Sequence, residues 1–88
     1  MGLDALLLYI AANIRRHRQK HGMTQEALAE RSGIDLRCLQ QIESGEKKMS
    51  IDALLAIANG LEVSPAHLLR PATMPEVERG RPRKAAKG

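Results

Sequence analysis

Four glycines, at positions 22, 33, 45 and 60, each close a helix-like run, and that punctuation constrains this chain more than any other feature. A helix C-terminus is often finished by a residue in the left-handed region, which glycine enters without a steric penalty. N-cap residues stand opposite these stops: Thr24, Asp35, Ser50, and Ser64 followed by Pro65 at the first helical position. Glu26 and Asp52 fall in first turns, where negative charge suits the helix dipole. Together the signals predict helices near residues 4–20, 25–31, 36–43, 51–59 and 65–69.

Apolar periodicity agrees. Leu3, Leu7, Ile10 and Ile14 make one stripe, and Leu54, Ile57, Ala58 and Leu61 another. The chain has no Phe or Trp and one Tyr, so its core is aliphatic, and its wealth of Ala, Leu, Glu, Gln, Lys and Arg favours helices over strands. The fold class expected is all-α, a compact five-helix domain over residues 1–70. After Leu69 the texture changes to proline and mixed charge, and residues 71–88 read as a basic tail, disordered when free. A single cysteine, Cys38, excludes an internal disulfide and suits a reducing compartment. The longest apolar stretch, Ala5 to Ala12, is far short of the ~20 residues that span a bilayer, so a cytoplasmic protein with no membrane partner is expected.

The net charge of +4 is uneven. Residues 1–70 hold nine Lys/Arg against eight Asp/Glu, whereas residues 71–88 hold five against two. A nearly neutral domain grips phosphates only if its basic groups share a face. Scarce aromatics argue against base-stacking platforms for single strands, which leaves duplex DNA. The second and third helices carry that reading. Ala29 is small where two helices would cross, Gly33 supplies the turn, and Leu39 and Ile42 anchor the third helix. Leu36, Arg37, Gln40 and Gln41 fall on the opposite face, donor-rich apart from one leucine, as a major-groove reader requires.

The run from Gly22 to Asp35, with Gln25, Ala29 and Gly33, then Leu39, Ile42, Glu43 and Gly45, resembles the Cro/lambda-repressor-like (Xre-type) helix-turn-helix regulators; Leu61 to Leu69 resembles that family's closing segment. The resemblance spans residues 10–69 and implies a lambda-repressor-like fold whose second and third helices form the DNA-reading unit. It implies a phosphate contact and a brace to the recognition helix for Gln25. Thr24 is open to two roles, cap and phosphate contact; Asp35 is a cap first and an acceptor from a cytosine amine second. Arg37 suits guanine O6 and N7, while Gln40 and Gln41 suit adenine or phosphate. Leu36 departs from the usual polar residue, and is equally open to packing on a thymine methyl and to covering the turn. Lys47 and Lys48, just past Gly45, are phosphate candidates.

Arg18 continues the inward stripe of the first helix and Glu43 lies beside the Leu39/Ile42 face. A buried charge wants a partner, and the family places an Arg–Glu pair here, so Arg18–Glu43 is expected as a structural ion pair. His17 and His21 have the i,i+4 spacing of a chelate, but no neighbouring Cys, Asp or Glu completes a ligand set, so no metal and no cofactor are implied. Arg79-Gly80-Arg81-Pro82 resembles an AT-hook core, an extended minor-groove ligand; a plain basic tail is the alternative. Off-stripe Leu6, Leu8 and Tyr9, or Pro65, Leu68 and Leu69, offer a homodimer surface. The function expected is a dimeric, sequence-specific regulator of transcription, a repressor or controller reading a palindromic operator, and not an enzyme. The competing readings are an antitoxin-type module that binds a toxin partner, and an architectural binder of A·T minor grooves.

Overall fold

The structure, a computed structural model, describes residues 1–73. Five helices follow one another: α1 (Leu3–Lys20), α2 (Gln25–Ser32), α3 (Leu36–Glu43), α4 (Ile51–Leu61) and α5 (Pro65–Leu68). Each of the last four starts at a side-chain cap. Thr24 Oγ1 accepts from the Ala27 N–H at 3.0 Å, and Ser50 Oγ from Ala53 N–H at 3.1 Å. Asp35 Oδ2 accepts from Arg37 N–H at 3.1 Å, and Ser64 Oγ from Ala66 N–H at 3.3 Å. These bonds satisfy amides that the helix itself leaves without partners.

The core is a single aliphatic cluster. Ile10, Ile14, Leu28, Leu39, Ile42, Ile57, Leu61 and Leu68 meet at its centre. α2 packs on α3 and α4, while α1 lies along α3, α4 and α5. Three sequence expectations change here. Leu68, offered as part of a dimer surface, is fully buried in the core cluster, because α5 folds back onto α1 and α4. Leu3 heads the predicted stripe of α1 but is 48% exposed, because the core begins only at Leu7. Gly60 does not stop its helix: it lies inside α4 and is buried, and the left-handed stop falls on Glu62 at φ 61°. The reason is the crossing with α2. A Cβ on Gly60 would collide with the Ser32 hydroxyl and sit 3.2 Å from Leu28 Cδ1, so glycine is there for close approach.

The chain after α5 is tied back to α1. Buried Asn13 donates from Nδ2 to Leu68 O at 3.1 Å and to Arg70 O at 2.8 Å, and Arg16 Nη2 donates to Thr73 O at 3.3 Å. Asn13 thus supplies the donors that the short α5 cannot supply to its own last carbonyls. Among the described residues no helix is long and apolar enough to cross a membrane.

Candidate nucleic-acid interface

α2 and α3 are joined by a turn of three residues, Gly33 to Asp35. Gly33 sits at φ 72°, and Ile34 N–H returns to Ala29 O at 3.1 Å, which closes α2 and sends the chain directly into the Asp35 cap of α3. Leu39, Ile42 and Glu43 are the buried residues of α3; Arg37, Gln40 and Gln41 are exposed. Leu36 is half-buried and packs against the core cluster, and Cys38 is half-buried beside it.

Glu43 is fully buried and is the hub behind this face. Arg18, 9% exposed, grips it with a two-pronged fork, Nε to Oε2 at 2.9 Å and Nη2 to Oε1 at 3.0 Å. The third guanidinium nitrogen, Nη1, donates to Met23 O at 3.0 Å, so one arginine joins α1, the loop before α2, and α3. Gln25 Nε2 donates to the same Glu43 Oε1 at 3.1 Å, and Arg15 Nε lies 3.9 Å from it. Gln40 Nε2 in turn donates to Gln25 Oε1 at 3.5 Å. The first residue of α2 therefore links the buried carboxylate to the outer face of α3.

At the far end of α3, Gly45 takes φ 79°, and a Cβ there would lie 2.6 Å from Leu8 Cδ2. Leu8 of α1 thus covers the loop that carries the lysines. Lys47 Nζ donates to Gln41 Oε1 at 3.3 Å and lies 3.8 Å from Cys38 Sγ. Gln41, Glu46, Lys47 and Lys48 line an open cleft of about 540 Å³ beside the C-terminal half of α3.

The predicted residues thus come together on one side. Arg37, Gln40 and Gln41 point outward, with Thr24, Gln25 and Asp35 at the α2 and α3 N-termini and Lys47 and Lys48 beyond. Arg79, Gly80, Arg81 and Pro82 lie outside the described residues. Sequence reasoning passed over Asn13, although an Asn inside the run Ile10-Ala-Ala-Asn-Ile14 was itself a signal of a buried hydrogen-bonding task. His17 and His67 face each other with ring centroids 6.5 Å apart. Burial, then Lys20, His21, His67 and Arg16, holds the His17 pKa below its ordinary value of 6.5. Among the described residues no group of three or more His, Cys, Asp or Glu is placed to hold a metal.

The helix-turn-helix family profile matches residues 14–68, which contain all of α2 to α5. The chain belongs to this family. Similar curated proteins carry regulator or control-protein names: the uncharacterized HTH-type transcriptional regulator y4dJ of Sinorhizobium fredii is 32% identical over 62 residues, 70% of this chain and 80% of that one. The control protein C.SmaI of Serratia marcescens is 32% identical over 60 residues, 68% of this chain and 71% of its own length. The propionyl-CoA carboxylase regulator of Cereibacter sphaeroides is 39% identical over 59 residues, but the match spans only 13% of that longer protein. Among solved structures, the restriction-modification controller C.AhdI of Aeromonas hydrophila superposes with a TM-score of 0.68 at 31% identity, covering 70% of this chain and 94% of its own. An HTH_3 family transcriptional regulator from Vibrio cholerae superposes at 0.73 and 31% identity, covering 76% of this chain and 38% of the larger protein. This helix-turn-helix protein is therefore a DNA-binding regulator of transcription on a lambda-repressor-like fold.

Proposed function

We propose that this chain acts as a homodimer on a palindromic operator, with α3 in the major groove of each half-site. The observation that carries this is the outward, donor-rich face of α3, held from behind by the Arg18–Glu43–Gln25 network. Arg37, Gln40 and Gln41 meet base edges, with Asp35 and Leu36 at the helix entrance. Thr24, Gln25, Lys47 and Lys48 hold the phosphates on either side and fix the register. Residues 1–70 are the reading domain. The tail, with Arg79, Gly80, Arg81 and Pro82, adds positive charge and non-specific affinity.

Dimerisation is supported by a mostly apolar groove of about 380 Å³ between α1, α4 and the end of α5, lined by Leu3, Leu6, Leu7, Ile10, Met49, Ile51, Leu54 and Leu69, with Lys48 and Ser50 also in its lining. At its rim Ile51 is 77% exposed. A small, nearly neutral domain gains most from two half-sites bound at once. The output is operator occupancy in the cytoplasm, with no catalytic step, in the manner of the controller proteins it resembles.

The test is selection from random DNA duplexes by the full-length protein near physiological salt. Two related half-sites about one helical turn apart are expected. Enrichment of A·T tracts alone, or no enrichment, would overturn this reading.

A further inference from the structure

The outer face of α3 ends in two glutamines whose amides are oriented by opposite charges. A glutamine amide accepts at its oxygen and donates at its nitrogen, so the end turned to DNA decides which base edge it fits. Lys47 Nζ lies 3.3 Å from Gln41 Oε1. An ammonium has donors and no acceptor, so this contact admits one orientation: the carbonyl toward Lys47 and the NH₂ outward. Gln40 is set the other way. The buried Glu43 carboxylate accepts from Gln25 Nε2 at 3.1 Å, which leaves Gln25 Oε1 to accept from Gln40 Nε2 at 3.5 Å. Gln40 keeps its carbonyl for the outside, whereas Gln41 presents donors alone.

Gln41 lies four residues after Arg37, on the same ridge of α3. At about 1.5 Å rise per residue the two are about 6 Å apart along the axis, close to two base-pair steps of about 3.4 Å. Arg37 has no acceptor either. We propose that Lys47 is a positioning residue that makes the Arg37–Gln41 ridge donor-only, and so selects guanine at the two base positions this ridge faces. Guanine shows two acceptors, O6 and N7, in the major groove. Adenine shows one acceptor and one donor, and its N6 amino group would meet the Gln41 amide NH₂, donor against donor. The inference rests on the reading that α3 enters the major groove, and adds to it a base identity and the residue outside α3 that sets it.

The test is selection from random duplexes by the full-length wild type, Lys47→Met, Lys47→Arg and Gln41→Ala. The position read by Gln41 is the one whose preference disappears in Gln41→Ala. At that position the wild type discriminates guanine over adenine by roughly tenfold, as a good side-chain–base pair does. Lys47→Met releases the Gln41 carbonyl and brings adenine level with guanine; Lys47→Arg, another pure donor, retains guanine. Loss of a phosphate contact lowers affinity for all sequences alike and does not move this ratio. Adenine preferred by the wild type, or a ratio unchanged in Lys47→Met, overturns the proposal while leaving the operator-reading function intact. Failure of the wild type to select any sequence overturns that function itself, and this inference with it.

Discussion

Replacing Glu43 by Gln keeps the side-chain shape and removes one charge. In the native structure the carboxylate accepts two bonds from Arg18 and one from Gln25, with the Arg15 guanidinium 3.9 Å away. Both carboxylate oxygens accept from Arg18, so a glutamine amide sets its NH₂ against an Arg18 donor in either orientation, and in one of them against Gln25 as well. The Arg18 cation, 9% exposed, loses its counter-charge and keeps one amide oxygen and Met23 O as acceptors. Breaking a buried ion pair by removing one partner costs about 3–5 kcal/mol. The lower end applies because Arg18 stands at the edge of the core and keeps its carbonyl bond, which gives about 3 kcal/mol. A domain of this size shifts in Tm by about 4–8 °C per kcal/mol, so the variant should melt roughly 12–24 °C below the parent. Far-UV circular dichroism is the suitable readout, since the chain has no Trp and one Tyr. Protein concentration must be held fixed, because dimerisation would add to apparent stability. The double variant Arg18→Met/Glu43→Leu removes both charges and should recover most of the loss. A Glu43→Gln protein that melts within about 4 °C of the parent, a loss of under about 1 kcal/mol, would refute the assignment of Glu43 as the anchor of α3.

Gly60→Ala should lower stability by about 1 kcal/mol in urea unfolding, because crowding against Ser32 and Leu28 outweighs the roughly 1 kcal/mol that Ala gains over Gly in an open helix; a rise in stability would show that α2 yields. The folded-state pKa of His17 is depressed from 6.5, so its neutral form is favoured by folding; that contribution is present above 6.5 and is lost as pH falls through the folded value. Wild-type Tm should therefore fall more steeply than that of His17→Gln below pH 6.5, and parallel curves would exclude the His17 contribution. Lys48→Ala should weaken DNA binding about equally for all sequences and reduce the salt slope by about 1 per half-site, about 2 for the dimer, measured by fluorescence anisotropy across a salt series. An unchanged slope would remove Lys48 from the phosphate contacts.

What the sequence discloses here is mostly local. Thr24, Asp35, Ser50 and Ser64 cap their helices because a cap is decided within three residues, and Gly33 and Gly45 adopt positive φ because the turn demands it where they stand. The inward Arg18 and Glu43 were legible as two charges on apolar faces. Gly60 was misread because its task is set by a helix distant in sequence: it lets α4 pass close to α2, and the stop moves to Glu62. Asn13 was missed for the same reason, its partners Leu68 and Arg70 lying more than fifty residues away. The outward face of α3 followed from periodicity. The orientation of its amides did not, because it depends on the placement of Lys47 and on Gln25 reaching buried Glu43.

The central claim is that the exposed face of α3 reads base edges, and Arg37 tests it most directly. Its side chain is exposed, and its backbone N–H, bonded to Asp35, survives substitution. Equilibrium binding of wild type and Arg37→Ala should be measured on the selected duplex and on a scrambled duplex of the same composition. The account predicts an unchanged Tm, a loss of about 1–3 kcal/mol per half-site on the selected duplex, and little change on the scrambled one. Equal losses on both duplexes, or none on either, would contradict it.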